Sequence, residues 1–249
     1  MYKLEPLVCI TDDINKYGGK AVYLSKLIKN NFLVPYGVVI PSCVYKDYKT
    51  SKLDENIFSN IITQLENLFL QENKSIIFRS SSNVENSDEY SSAGVFSSFR
   101  YNSEISVKEH IEKVWQSSED IYADEYINFV EIDKSTITMG VIVQEYIEGN
   151  LTLVIQSYDI INDSTQILVE YSDNGTSSIV DGTANADLLY IDYDGKFING
   201  QKCDILSARI LNKIASDCKR MEEIFSAHVE VEAQVLGEDI YYLQVRKLL

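Results

Sequence analysis

Four residues near the end of the chain are spaced for metal and phosphate chemistry. Glu230 and Glu232 lie two apart, as do Gln244 and Arg246, within two alternating runs, Val229–Val235 and Ile240–Val245. Alternation of apolar and polar residues is the period of a strand with one buried face, and a Gly-containing turn between two such runs reads as a hairpin. If the loop is Gly237-Glu238-Asp239, Leu236 faces Ile240. Glu232 then stands opposite Gln244 and Glu230 opposite Arg246, all on one face. A four-residue loop would put Glu232 and Gln244 on opposite faces, because a one-residue slip inverts every side chain. In the first register two carboxylates, an amide oxygen and a guanidinium share a patch. A hard cation such as Mg²⁺ takes such oxygens while keeping waters and phosphate oxygens. A guanidinium beside it holds phosphate through two parallel hydrogen bonds. The same pattern also fits an amphipathic hairpin with a solvated polar face.

Two earlier cations have compatible surroundings. Tyr17-Gly18-Gly19-Lys20 leads into a helical pattern with Ala21, Leu24, Leu27 and Ile28 on one face. Glycines permit close backbone approach, and a helix N-terminus offers N–H groups and positive dipole to an anion. Lys20 would stand beside that anion as a point charge. Ile76-Ile77-Phe78 is a short apolar strand that runs into Arg79-Ser80-Ser81-Ser82, and a loop continues through Ser91-Ser92-Ala93-Gly94 to a strand over 95–101. Small hydroxylated residues let backbone N–H groups converge on a polyanion, and Arg79 would be a permanently charged clamp. A plain turn with a surface lysine, and a Ser-rich surface loop, are the structural alternatives.

The elements that must position these groups are legible as periods. Proline and glycine bracket a buried strand, Val38–Ile40. A helix is expected from Asp54 to about Glu72, with Ile57, Ile61, Leu65, Leu68 and Phe69 inward. Ser106 and Glu109 form a capping-box signature. They open a helix whose apolar side is Val107, Ile111, Val114, Trp115, Ile121 and Tyr122, and in which His110 is structural. Thr136–Val143 is a strand that reaches Gln144-Glu145-Tyr146-Ile147, placed as a linker to a second sheet. Leu151–Ser157 and Gln166–Tyr171 read as antiparallel strands, and 207–226 as a helix with Ile210, Leu211, Ile214, Met221, Ile224 and Phe225 inward.

Composition narrows the function. The 249 residues suffice for one large domain or two small ones. A formal charge of −16 argues against nucleic-acid binding, which draws its affinity from Lys and Arg. It leaves room for a nucleotide, where a few local cations and a metal suffice. Cys9, Cys43, Cys203 and Cys218 form no CxxC pair, and with two histidines they make no zinc site. No run approaches a membrane span and the start lacks a signal-peptide core, so a soluble, cytoplasmic protein without membrane partners is expected.

The ordered motifs resemble the N-terminal nucleotide-binding domain of the phosphoenolpyruvate synthase, pyruvate phosphate dikinase and rifampicin phosphotransferase family. Its Gly-Gly-Lys matches Gly18-Gly19-Lys20. Its Val-Pro-Pro-Gly-Phe-Val-Val matches Val34-Pro35-Tyr36-Gly37-Val38-Val39-Ile40. Its Arg-Ser-Ser loop matches Arg79-Ser80-Ser81, Glu85-Asn86 and Ser91 to Gly94. Its linker is similar to Ile142 through Ile147, and its terminal motif to Glu230-Val231-Glu232 with Leu243-Gln244-Val245-Arg246.

The resemblance implies an α+β, two-lobed ATP-grasp fold with antiparallel sheets and a nucleotide cleft between lobes, the lobes dividing into 1–143 and 144–249. It implies ATP and Mg²⁺ as cofactors. Lys20, Arg79 and Arg246 would contact phosphates, and Ser91, Ser92, Ala93 and Gly94 cover them. Gln144, Glu145, Tyr146 and Ile147 would hold adenine, Glu232 and Gln244 the metal, and Glu230 matches a further site carboxylate. The family's Gly-Leu-Gly-Glu loop is degraded; Gly175-Thr176-Ser177-Ser178 is the nearest segment and lacks the acid. His228 precedes the hairpin but sits in no phosphohistidine motif. The implied function is ATP-dependent phosphoryl transfer, with a histidine on a separate swivel-domain protein or a small molecule as acceptor. The alternative is a nucleotide-binding sensor or scaffold without catalysis.

Overall fold

The computed structural model describes residues 3–72, 74–85, 95–160, 162, 164–173 and 186–248. The chain divides into two compact units, 1–25 with 35–146 and 26–34 with 147–249. The boundary expected between 143 and 144 falls inside a strand.

The first unit is built on a five-stranded antiparallel sheet. Its strands are β1 (Glu5–Pro6), β2 (Gly37–Ile40), β3 (Ile76–Ser82), β4 (Ser98–Arg100) and β5 (Met139–Glu145), in the order β1-β2-β5-β3-β4. β3 and β5 pair over their full length, from Ile76 opposite Glu145 to Ser82 opposite Met139. The β3 strand thus continues through Arg79-Ser80-Ser81, four residues past the expected end at Phe78. Phe78, Val141 and Val143 face a core that also buries Phe58, Phe69, Ile111, Val114 and Trp115. Those residues come from a helix (Glu55–Leu65), a single π turn that continues it (Glu66–Leu70), and a further helix (Val107–Gln116). The expected capping box is present: Ser106 Oγ accepts from Glu109 N–H, and Glu109 accepts from Ser106 N–H. His110 is buried with both ring nitrogens engaged. Nε2 accepts from Asn102 N–H at 3.3 Å, so Nδ1 donates to Ser106 O at 2.9 Å.

Three inward assignments fail. The helix after Ser106 stops at Gln116, and Ile121 and Tyr122 begin a separate helix, Ile121–Phe129, where they are 74% and 79% exposed. On the earlier helix Leu68 is exposed and Phe58 takes the buried place instead. The π geometry of Glu66–Leu70 takes Leu68 off the 3.6-residue register used to assign it.

The second unit is a six-stranded antiparallel sheet. In sequence it runs β6 (Leu151–Gln156), β7 (Ile167–Ser172), β8 (Asp187–Ile191), β9 (Phe197–Gly200), β10 (Val229–Leu236) and β11 (Asp239–Lys247), in the order β11-β10-β6-β7-β8-β9. One face buries Leu153, Ile155, Ile167, Val169, Val229, Val231 and Ala233. A long helix (Ala208–Phe225) buries Ile210, Leu211, Ile214, Met221 and Phe225. On it, buried Asp217 accepts from Tyr242 Oη at 2.5 Å, Lys213 at 2.8 Å and Arg220 at 3.0 Å. Burial, reinforced by the Asp217 charge, pushes the Tyr242 hydroxyl well above its ordinary pKa, so it remains a donor. Residues 26–34 join this unit. Tyr242 N–H donates to Leu33 O at 2.8 Å, Phe32 meets the Tyr242 ring edge-on at 5.6 Å, and Arg220 donates to Asn30 O at 2.6 Å.

The same helix carries Cys218. Burial holds its thiol far above the ordinary cysteine range, and the carboxylates of Glu222 and Asp217 add to the shift. Only the thiolate reacts quickly. At pH 8 a maleimide or disulfide reagent should therefore label exposed Cys9 in the native protein and reach Cys218 only after unfolding. Mass spectrometry of the labelled peptides checks this; native labelling of Cys218 would show that the helix opens.

Among the described residues no helix is long and apolar enough to cross a membrane.

Candidate functional site

The β10–β11 hairpin carries the metal and phosphate residues. Glu230 pairs with Arg246 and Glu232 with Gln244, as the first of the two registers requires. The route to that pairing differs from the expected one. The turn is Gly237-Glu238 alone, with Leu236 opposite Asp239 and Ala233 opposite Tyr242. A bulge between Glu232 and Ala233 then leaves Leu243 without an opposite residue and restores the pairing of Glu232 with Gln244. Gly237 adopts φ 64°, the left-handed conformation that such a tight turn needs.

The register across the sheet defines two rows on its polar face. One runs Gln244, Glu232, Val154, Glu170; the next runs Arg246, Glu230, Gln156, Leu168. Arg246 donates to one Glu230 oxygen from Nε at 2.7 Å and from Nη2 at 2.6 Å. Gln156 Nε2 donates to the other oxygen at 3.1 Å. Glu230 therefore orients the guanidinium instead of offering a free carboxylate. Glu170 is half-buried. Burial raises its carboxyl above the usual range, and the Glu230 charge raises it further. Glu170 was not apparent from the sequence. Its signal is its parity in β7, which becomes visible only once β7 is paired with β6.

In the first unit Lys20 lies in α2 (Gly19–Lys29), entered from α1 (Ile14–Tyr17) through Gly18 at φ 81°. A Cβ on Gly18 would lie 1.9 Å from Ser81 O. The close approach expected of an anion is thus made by the protein's own strand, and Ala21 N–H donates to Ser81 Oγ at 3.0 Å. Lys20 is 7% exposed, with Nζ 2.7 Å from Glu85 Oε1 and 3.1 Å from Ser80 Oγ. Glu85 was legible only as part of a motif. That a buried ammonium requires a counter-charge is the physical signal for its role.

Arg79, also 7% exposed, reaches Gln144 Oε1 at 3.4 Å, and Gln144 Nε2 donates to Pro35 O at 3.0 Å. Gln144 and Glu145 are strand residues, not linker. The N–H of Glu145 donates to Tyr36 O at 2.9 Å and that of Tyr146 to Ser75 O at 2.8 Å. Glu145 also pairs with Lys74 at 2.7 Å, and Arg100 covers the Tyr146 ring at 4.2 Å. Ile147 belongs to the second unit, as the first residue of its longer segment, 147–249. Ser91, Ser92, Ala93, Gly94 and the segment Gly175 to Ser178 lie outside the described residues. His228 places Nδ1 2.6 Å from Glu222 and stacks on Tyr158 at 4.5 Å.

The donor set around Glu232 can be tested against Mg²⁺. Among the described residues no three His, Cys, Asp or Glu cluster as an all-protein cage. One carboxylate and one amide oxygen opposite each other fit the cation that retains waters and substrate oxygens.

Residues 53–210 match the AMP/ATP-binding domain of pyruvate phosphate dikinase. No curated protein sequence matches the chain. Among solved structures, PH1788 from Pyrococcus horikoshii Ot3 is similar with a TM-score of 0.50 at 11% identity, covering 92% of this chain and 90% of that one. A D-alanine–D-alanine ligase from Bacillus anthracis is similar with a TM-score of 0.47 at 13% identity, covering 92% and 55%. The ATP-grasp ligase PsnB, complexed with precursor peptide PsnA2 and AMPPNP, is similar with a TM-score of 0.38 at 8% identity, covering 90% and 47%. The chain spans about half the length of these two ligases. With its two antiparallel sheets, its ordered motifs and a match over most of its length, the chain belongs to the family of pyruvate phosphate dikinase AMP/ATP-binding domains and has the ATP-grasp fold.

Proposed function

We propose that the chain binds MgATP and transfers a phosphoryl group from it, as one component of a phosphotransferase whose acceptor is a histidine on a separate polypeptide or a small molecule. The observation that carries this reading is the polar face of the hairpin sheet, where Glu232 and Gln244 stand opposite each other beside an Arg246 that Glu230 holds from two donors. A sheet face kept only for solubility has no need of an oriented guanidinium next to matched oxygen donors.

The roles follow from chemistry. Phosphoryl transfer asks little covalent work of the protein and depends on positioning and charge. Arg246 and Arg79 hold phosphate oxygens through paired N–H donors. Lys20 adds a directed N–H donor. Glu232 and Gln244 would hold Mg²⁺, which when bound neutralises charge on the phosphates. Because the N–H groups of Glu145 and Tyr146 are committed to Tyr36 and Ser75, an adenine edge would be met at Ile147 or by carbonyls.

Calorimetric titration with ATP, with and without Mg²⁺, tests the binding half. Mg²⁺-dependent binding that adenosine does not reproduce is expected. Incubation with ATP and a candidate histidine domain tests the transfer half: AMP and inorganic phosphate with phosphohistidine mark the dikinase route, ADP with a phosphorylated acceptor the direct route. Binding without either product for any acceptor would leave the non-catalytic sensor as the function.

A further inference from the structure

We infer that Glu85 is a positioning residue for Lys20: it fixes the ammonium so that one N–H is aimed at phosphate and cancels its net charge. The inference rests on the reading of Lys20 as a phosphate contact. An ammonium has three N–H donors and no acceptor. Here one is directed to Glu85 Oε1 at 2.7 Å and one to Ser80 Oγ at 3.1 Å, which leaves a single donor for a ligand. The carboxylate is held independently of the lysine. Its Oε2 accepts the Ser82 N–H at 2.7 Å and its Oε1 the Ser80 hydroxyl at 3.4 Å. At 1% exposure Glu85 is too enclosed to touch a nucleotide, so it acts through Lys20.

Two consequences follow. A lysine arm loses rotamer freedom on meeting a ligand, and here that loss is incurred on folding. The Lys20–Glu85 pair is also neutral as a unit. The arrangement parallels Glu230 and Arg246 in the other unit, where a carboxylate likewise orients a cation.

Glu85→Gln tests this, because it keeps the side-chain shape and an acceptor for Ser82 N–H while removing the charge. The readout is the ratio of ATP to adenosine affinity by calorimetry, with circular dichroism confirming the fold. Loss of one charge-assisted contact corresponds to about tenfold or more in affinity. Glu85→Gln and Lys20→Met should each lower the ratio by that amount, and the double variant should lower it no further than Lys20→Met alone. A lower melting temperature with an unchanged ratio in Glu85→Gln would overturn the inference, as would a raised ratio from the uncancelled Lys20 charge or additive losses in the double variant. If Lys20→Met itself leaves the ratio unchanged, the phosphate role of Lys20 fails first and that of Glu85 with it. Should Glu85→Gln not fold, Glu85→Asp, whose shorter arm retracts the carboxylate, must lower the ratio or the inference falls.

Discussion

Glu232→Ala should remove the Mg²⁺-dependent part of ATP binding, an effect of at least about 100-fold at a fixed Mg²⁺ concentration, with little change in melting temperature. Glu232 projects from the polar face of β10, opposite Gln244 on one side and Val154 on the other. Its neighbours Val231 and Ala233 are buried on the core face, so truncating Glu232 leaves no cavity. A metal that takes few protein ligands and keeps its waters loses a large share of its protein hold with one carboxylate. Titrating the variant with ATP at several Mg²⁺ concentrations checks this. An affinity that still rises with Mg²⁺ as in the unmodified chain would move the metal elsewhere, and Glu170, two strands away in the same row, would be the next carboxylate to replace.

Gly18→Ala should be the most destabilising small substitution in the first unit, costing about 3 kcal/mol or more. Gly18 has φ 81° and ψ 162°, a region almost reserved for glycine. The added Cβ would also lie 1.9 Å from Ser81 O and 2.4 Å from Ser81 Oγ. The first obstacle is strand backbone and cannot swing aside. Relief requires moving the start of α2 away from β3, which also separates Lys20 from Ser80 and Glu85, so ATP affinity should fall together with stability. Urea denaturation and ATP titration of the same sample measure both. Gly237→Ala is the control: φ is 64° but nothing lies within 4 Å of the new Cβ, so a loss of only about 1 kcal/mol is expected. Equal losses at the two positions would mean that backbone conformation alone, and not the clash with Ser81, sets the cost.

The hairpin, the capping box and the main strands were legible because each rests on a local period or a cap. The pairing of Glu232 with Gln244 was legible as one of two registers, although the turn assumed for it was wrong. What escaped the sequence is what depends on tertiary neighbours. Ile121 and Tyr122 fit the helical stripe of Val107 to Trp115, yet the helix ends at Gln116 and a separate one starts at Ile121, past an extended Asp120. Glu85 and Gln156 gain meaning only beside Lys20 and Glu230, through hydrogen bonds between residues 65 and 74 positions apart, and Glu170 through the Glu230 charge that acts on it. Gly18 and Gly19 read as room for an anion; the space at Gly18 is filled by Ser81, 63 residues later in the chain.

The bulge at Leu243 can be viewed as a correction of reading frame. The two-residue turn launches β11 one step out of phase with the site, and the extra residue restores the phase before Gln244 is reached. A three-residue turn without a bulge would deliver the same four side chains to the same face. Turn length is therefore a poor guide to whether a related chain retains this site; the phase of Gln244 and Arg246 against Glu232 and Glu230 is the property to compare. Deleting Leu243 would leave Glu232 opposite Gln244 and remove only the added local twist that a bulge confers. That single deletion would separate what the pairing contributes to the site from what the bend contributes.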